Sequence, residues 1–145
     1  ALDFLIGVSR AIQQGFSYSA RAEYGTQTPA ETVAPRLADL ARRLNAPTTA
    51  PALVVAAVVH AELMTLQPFT YGSGLVTRAV DRLVLGSRGV DPDNWSVPEA
   101  GLHAKGRSAY ARALRGYGAG DVSGWIDFYC GAVADGTQGL SELVG

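Results

Sequence analysis

Leu66-Gln67-Pro68-Phe69-Thr70-Tyr71-Gly72-Ser73-Gly74-Leu75-Val76-Thr77-Arg78 is the stretch around which the chain can be read. Pro68 stops the helix that runs into it, because proline lacks an N–H and crowds the preceding turn. A Gly-Ser-Gly turn follows, and a second helix starts at Ser73 or Gly74 and runs to about Leu85, ending at Gly86 and Gly89. A helix that opens on glycines leaves its first N–H groups without intrahelical acceptors and aims them at one spot, which suits an anion. The helix on the other side, predicted over 50–66 and opened by Thr48 or Thr49, carries Leu53, Val54, Val55, Val58, Val59, Leu63 and Leu66. These fall all round the helix rather than on one stripe, which is the pattern of a central, buried element.

Working outward, residues 2–13 read as a short helix. Phe16, Tyr18, Ala20, Ala22 and Tyr24 then alternate with Ser17, Ser19, Arg21 and Glu23, a strand-like period of two bracketed by Gly15 and Gly25. Thr28-Pro29-Ala30-Glu31 has the form of a capping box with proline at the first helical position. Pro35 interrupts that run, so a turn and a fresh start are expected there. From Pro35 to Leu44, Leu37, Leu40, Ala41 and Leu44 form one stripe, before Asn45 and Pro47 end it.

Beyond the second loop helix, Ser96-Val97-Pro98-Glu99 reads as another capping box, opening a helix to about Arg115 that Gly101 and Gly106 weaken. Asp121 is expected to cap a last helix, 122–143, which Gly124, Gly131, Gly136 and Gly139 leave frayed or broken. The fold expectation is one all-α domain of about six helices with a short β-hairpin flap at 16–24.

The 145 residues suffice for one core, and 17% charged against 48% hydrophobic excludes a disordered chain. Twelve Lys and Arg against 13 Asp and Glu leave a net charge of −1, with no basic footprint for nucleic acid. The longest apolar run, 50–59, is too short to span a bilayer, so no membrane association is expected. A single cysteine, Cys130, permits no internal disulfide and points to a cytoplasmic setting, in which it is a small packed residue rather than a nucleophile. His60 and His103 lie too far apart in sequence for a zinc pattern, and no metal site is expected. The chain starts without Met in what reads as mid-helix, so its natural N-terminus is expected to lie further upstream.

The loop resembles the signature of the Fic (Fido) family, His-x-Phe-x-(Asp/Glu)-Gly-Asn-Gly-Arg-x-x-Arg, in degenerate form. Ala56 to Leu63, including His60, is similar to the family's helix ahead of the signature, and Gly89 to Pro92 and Gly120 to Trp125 are similar to segments after it. The resemblance extends over about 15–134. It implies an all-α fold with a β-hairpin flap, AMP transfer from ATP to a protein hydroxyl, and a flap that holds the target by strand addition.

The same resemblance makes the departures pointed. The family's general-base histidine is Gln67 here, and an amide cannot take a proton near neutral pH. The metal-holding acid is Tyr71, a poor ligand for a hard cation. The asparagine that orients the α-phosphate is Ser73, and the first phosphate-clamping arginine is Leu75. Phe69, Gly72, Gly74 and the second arginine, Arg78, remain. Each charge-assisted contact is worth about 1.5–3 kcal/mol, so their loss would take a nucleotide from micromolar to about millimolar affinity.

The expected function is therefore a pseudoenzyme, inactive in AMP transfer, that binds a protein through Phe16, Tyr18 and Tyr24 of the flap or a phosphate-bearing ligand through Gly72, Ser73, Gly74 and Arg78. His60, Phe69 and Tyr71 are the expected pocket residues. No resident cofactor is expected: ATP or another phosphate compound binds weakly at most, without Mg²⁺. Two other readings stay open. One is an enzyme of changed chemistry, nucleotidyl- or phosphoryl-transferring, in which Gln67, Ser73, Tyr71 or a substrate group substitutes for the base. The other is a structural domain of a longer protein. Alone, His60 reads as a satisfied core histidine with Glu62 as its partner or beside it in the pocket. His103 reads as exposed, and Lys105, Arg107, Arg112 and Arg115 as a solvated basic face.

Overall fold

A computed structural model of the chain describes residues 29–69 and 71–144, with side chains over 33–69 and 71–137. The described residues form six helices and no strand, so the all-α expectation holds for them. The helix expected over 2–13 and the ribbon over 16–24, with Phe16, Tyr18 and Tyr24, lie outside the described residues, as does Thr28. Among the described residues no helix is long and apolar enough to cross a membrane. The chain divides after Thr48 into two compact units.

In the first unit, α1 spans Pro29–Asn45 as one helix, with Pro35 inside it. The break expected at Pro35 does not occur. A proline removes one N–H from the ladder, while the turns beyond it are held by other means. Leu37 and Leu40 are buried, and Asp39 pairs with Arg42 and Arg43 at 2.7 Å each across one turn. The Asn45 amide donates to Ala41 O at 2.8 Å and closes the C-terminus.

In the second unit, α2 (Ala52–Leu66) is central, as its apolar circumference requires, and packs against α3 (Ser73–Ser87), α5 (Arg107–Gly118) and α6 (Val122–Val144). Neither Thr48 nor Thr49 opens it. Pro51 stands at the N-cap with φ −54°, no side chain caps the helix, and the Val55 amide donates to Pro51 O. Ala56, Ala57, Val59, Ala61 and Leu63 are buried. Small alanines on α2 let Trp125 of α6 come close enough for its indole N–H to donate to Ala57 O at 2.7 Å. From α5, the Tyr117 hydroxyl donates to Glu62 at 2.7 Å, so Glu62 is tied to α5 rather than to His60.

The single helix expected from Ser96 to Arg115 is two, α4 (Pro98–Ala104) and α5. Gly106 sits between them with φ +85°, a conformation that side chains rarely adopt and that turns the chain. The capping box is also absent. Val97 is the N-cap without a side-chain bond, and the Ser96 hydroxyl donates to Asp91 instead.

The last helix runs unbroken over 122–144, and Asp121 caps it, accepting from the Gly124 amide at 2.9 Å. Its glycines were expected to weaken it, yet Gly136 serves packing. A Cβ on Gly136 would stand 2.2 Å from Val97 O, and one on Gly101 of α4 1.7 Å from Ala132 O. The two backbones touch there, which no side chain would permit.

Candidate functional site: a cavity beside Arg78

The loop between α2 and α3 is built by its own polar groups. Gln67 ends α2 in the left-handed region at φ 40°, its amide donating to Leu63 O, and Pro68 then bars continuation. The Ser73 hydroxyl donates to Phe69 O at 3.0 Å and accepts from the Phe69 amide at 3.2 Å, stitching the loop shut. Gly72, at φ +83°, is the N-cap of α3, and its carbonyl accepts from Leu75 and Val76. By helix geometry the amides of Ser73 and Gly74 are the ones left to face outward.

A cavity of about 480 Å³ adjoins this loop. His60 and Met64 of α2 form one wall, Gly74 and Arg78 of α3 the next. Glu99, Leu102 and His103 of α4, then Gly106, Arg107 and Tyr110 at the start of α5, complete it. The corner made by the turn at Gly106 is what gives the cavity a far side.

Of the residues expected at a site, His60, Gly74 and Arg78 meet at this cavity. Phe69, Gly72 and Ser73 shape the loop next to it and do not line it. Gln67 is exposed, and Tyr71 is 91% exposed, on the solvent side of the loop. Tyr71 is therefore no pocket residue in this structure. His103 is exposed as expected, at the rim, and the basic face is divided. Arg107 turns to the cavity, whereas Lys105 pairs with Asp135 at 2.9 Å and lies over the Phe128 ring.

Behind the cavity is a chain of three polar side chains. His60 Nδ1 lies 2.6 Å from Asp81 Oδ2, and His60 Nε2 lies 2.9 Å from the Tyr110 hydroxyl. The side chains of His60 and Asp81 are each 3% exposed. Tyr110, Trp125 and Tyr129 surround the imidazole with ring centroids 5.4–5.8 Å away. His60 is thus the satisfied core histidine of the expectation and also part of the cavity wall. Burial, outweighing the His60 hydrogen bond, pushes the Asp81 carboxyl above its ordinary range. Burial, then the Asp81 charge, push the Tyr110 phenol up to about 12. Asp81 Oδ1 and the Tyr129 hydroxyl are both buried and face one another, with no other hydrogen-bond partner among the described residues.

Glu99 has a different setting. Arg82 grips it with both ends of its guanidinium, Nε to Oε1 at 3.0 Å and Nη2 to Oε2 at 2.9 Å. Partial burial opposes ionisation, but the Arg82 bonds prevail and hold the Glu99 carboxyl below its ordinary range. Cys130 is half-buried, and burial, then the Asp127 charge, push its thiol up. Among the described residues no group of three His, Cys, Asp or Glu could hold a metal ion.

Sequence reasoning missed Asp81, Glu99, Arg107 and Tyr110. Asp81 lies one turn beyond Arg78 on α3, but it is 21 residues from His60, and Tyr110 is 50 residues from His60, separations that no local period reveals. Comparison with protein-family models, curated proteins and solved structures finds no match to the chain.

Proposed function

We propose that the chain is a degenerate Fic-like domain that binds a phosphate-bearing ligand and does not transfer AMP. The observation that carries this reading is the cavity into which Arg78 reaches. Arg78 is the one phosphate-meeting side chain of the signature that the chain keeps, and the outward amides of Ser73 and Gly74 begin the helix that bears it. Arg107 and His103 add nitrogen donors from the far side, while the one carboxylate that lines the cavity among the described residues, Glu99, is held by Arg82.

The residues at the signature's working positions support loss of transfer chemistry. Gln67 and Tyr71 are turned to solvent, and the Ser73 hydroxyl is used within the loop. None of the three is placed to substitute for a base, so no observation favours the enzyme of changed chemistry. Binding of a protein by strand addition at 16–24 belongs to the same proposal and rests on the sequence alternation.

Calorimetric titration with ATP, ADP and pyrophosphate, with and without Mg²⁺, tests the reading. The expected result is about millimolar affinity that Mg²⁺ does not improve and that Arg78→Ala weakens tenfold or more. Tight Mg²⁺-dependent binding, or AMP recovered covalently on the domain or on a target protein, reverses it.

A further inference from the structure

α5 is fastened differently from the helices around it. Among the described residues it has no fully buried side chain, whereas each of the other five helices buries at least two residues. Buried apolar area is what makes a helix costly to lift, so α5 is the element that parts from the core most readily. Its neighbour α4 is shorter but cannot follow, because Gly101 and Gly136 bring its backbone against that of α6.

Both ends of α5 are unobstructed joints. Gly106 precedes it at φ +85° and Gly120 follows it at φ +103°, and a Cβ on either would meet nothing within 4 Å. Glycines in open space absorb a change of backbone angle that other residues resist. Two hydroxyls then fasten α5 to α2. That of Tyr110 pairs with His60 Nε2 at 2.9 Å, and that of Tyr117 donates to Glu62 Oε1 at 2.7 Å. His60 and Glu62 are two residues apart and do not share a helix face, so α2 is held from different sides. Both tyrosine rings also cover Trp125 of α6, which is wholly buried, with centroids 5.8 and 6.5 Å away. Gly106, Arg107 and Tyr110 are the cavity's far wall, and its other lining residues belong to α2, α3 and α4. Lifting α5 therefore removes one wall and leaves the rest standing.

We propose that α5 is a hinged gate of the cavity, turning as an intact helix at Gly106 and Gly120 and latched to α2 by the Tyr110–His60 and Tyr117–Glu62 bonds. The gate sets when the cavity is open, whatever ligand enters it, and so stands apart from the phosphate-binding reading.

Trp125 reports the gate, because it lies under both latching rings. The chain has two tryptophans, so Trp95→Phe leaves Trp125 as the sole fluorophore of its kind. Acrylamide quenching in that background, with far-UV circular dichroism beside it, reads opening apart from unfolding. One such hydrogen bond shifts an open population by roughly five- to tenfold. Adding Tyr117→Phe, which keeps the ring, should therefore raise the quenching constant at least threefold with the helical signal unchanged. Adding Tyr110→Phe should raise it again, and Tyr117→Phe decides alone if that variant does not fold. Quenching that ignores the Tyr117 hydroxyl, or that rises only as helical signal falls, overturns the gate. Spin labels across the cavity, at Arg112→Cys and Ala79→Cys with Cys130→Ser, give a second readout. Tyr117→Phe should populate a longer distance between them, and an unchanged distance distribution rules out a swinging helix.

Discussion

Asp81 and Glu99 are two carboxyls close to one cavity, and their surroundings drive them in opposite directions. Asp81 is sealed behind His60, and burial raises it despite the imidazole. Glu99 stands on the cavity wall in partial contact with water, where Arg82 lowers it. Solvent makes the difference. In water's reach the bonds of a bidentate arginine outweigh the desolvation of a carboxylate, whereas in the core desolvation outweighs the hydrogen bond from a neighbouring imidazole. The common result is that each acid is tied to one nitrogen partner, Asp81 to His60 behind the cavity and Glu99 to Arg82 on its wall.

Separating the two walls requires moving one without the other, and Gly101→Ala does so most forcibly. Its Cβ would meet Ala132 O at 1.7 Å, a backbone atom that cannot rotate away. α4, which carries Glu99 and Leu102, must lift from α6 while the His60 cluster on α2, α3 and α5 stays packed. A loss of about 3 kcal/mol or more in the urea unfolding free energy is expected, even though alanine is the better helix former. A variant as stable as wild type would show that the α4–α6 contact is looser than the structure has it.

Asp81→Ala attacks the buried side. It removes the partner of His60 Nδ1 and leaves a void in the core, with an expected loss of about 2–3 kcal/mol by urea denaturation. An effect below about 1 kcal/mol would mean that Asp81 is no more sealed than Glu99, and the contrast between the two acids would vanish.

The distinction between a local and a long-range signal explains what could be read from the sequence. The central position of α2 follows from Val54, Val55, Val58 and Val59 lying all round it, and the cap at Asp121 follows from residue type beside a helix start. The Gly72–Gly74 turn and Arg78 were legible for the same reason. Local rules failed where a distant group competed for the same atoms. Ser96 and Glu99 have the spacing of a capping box, but Asp91 takes the Ser96 hydroxyl and Arg82 takes the Glu99 carboxylate. Gly136 was read by its helix propensity, and its use lies in Val97 of another element. Pro35 was read by its missing N–H, and the helix around it persists. The half of the cavity built from Tyr110, Arg107 and Glu99 depends on α5 turning at Gly106 to face α2, a tertiary placement that no single segment encodes.

The smallest expected effect concerns Glu99 and sharpens the contrast through pH. Glu99 is depressed in the fold, so its contribution is present above the unfolded value of about 4.3 and is lost as pH falls through the lower folded value. Asp81 is raised, so the sign reverses. Its contribution is most favourable below the unfolded value of about 3.9 and declines as pH rises through the higher folded value. Glu99→Gln should therefore cost under about 1 kcal/mol at pH 7, as befits a half-exposed pair, and less as the pH falls below 4. Asp81→Asn should show the opposite trend, with the difference from wild type shrinking as pH rises from 4. Urea midpoints for the three proteins between pH 3 and 7 check both slopes. Parallel curves would mean that the two carboxyls share one environment, and the electrostatic distinction between core and wall would have to be abandoned.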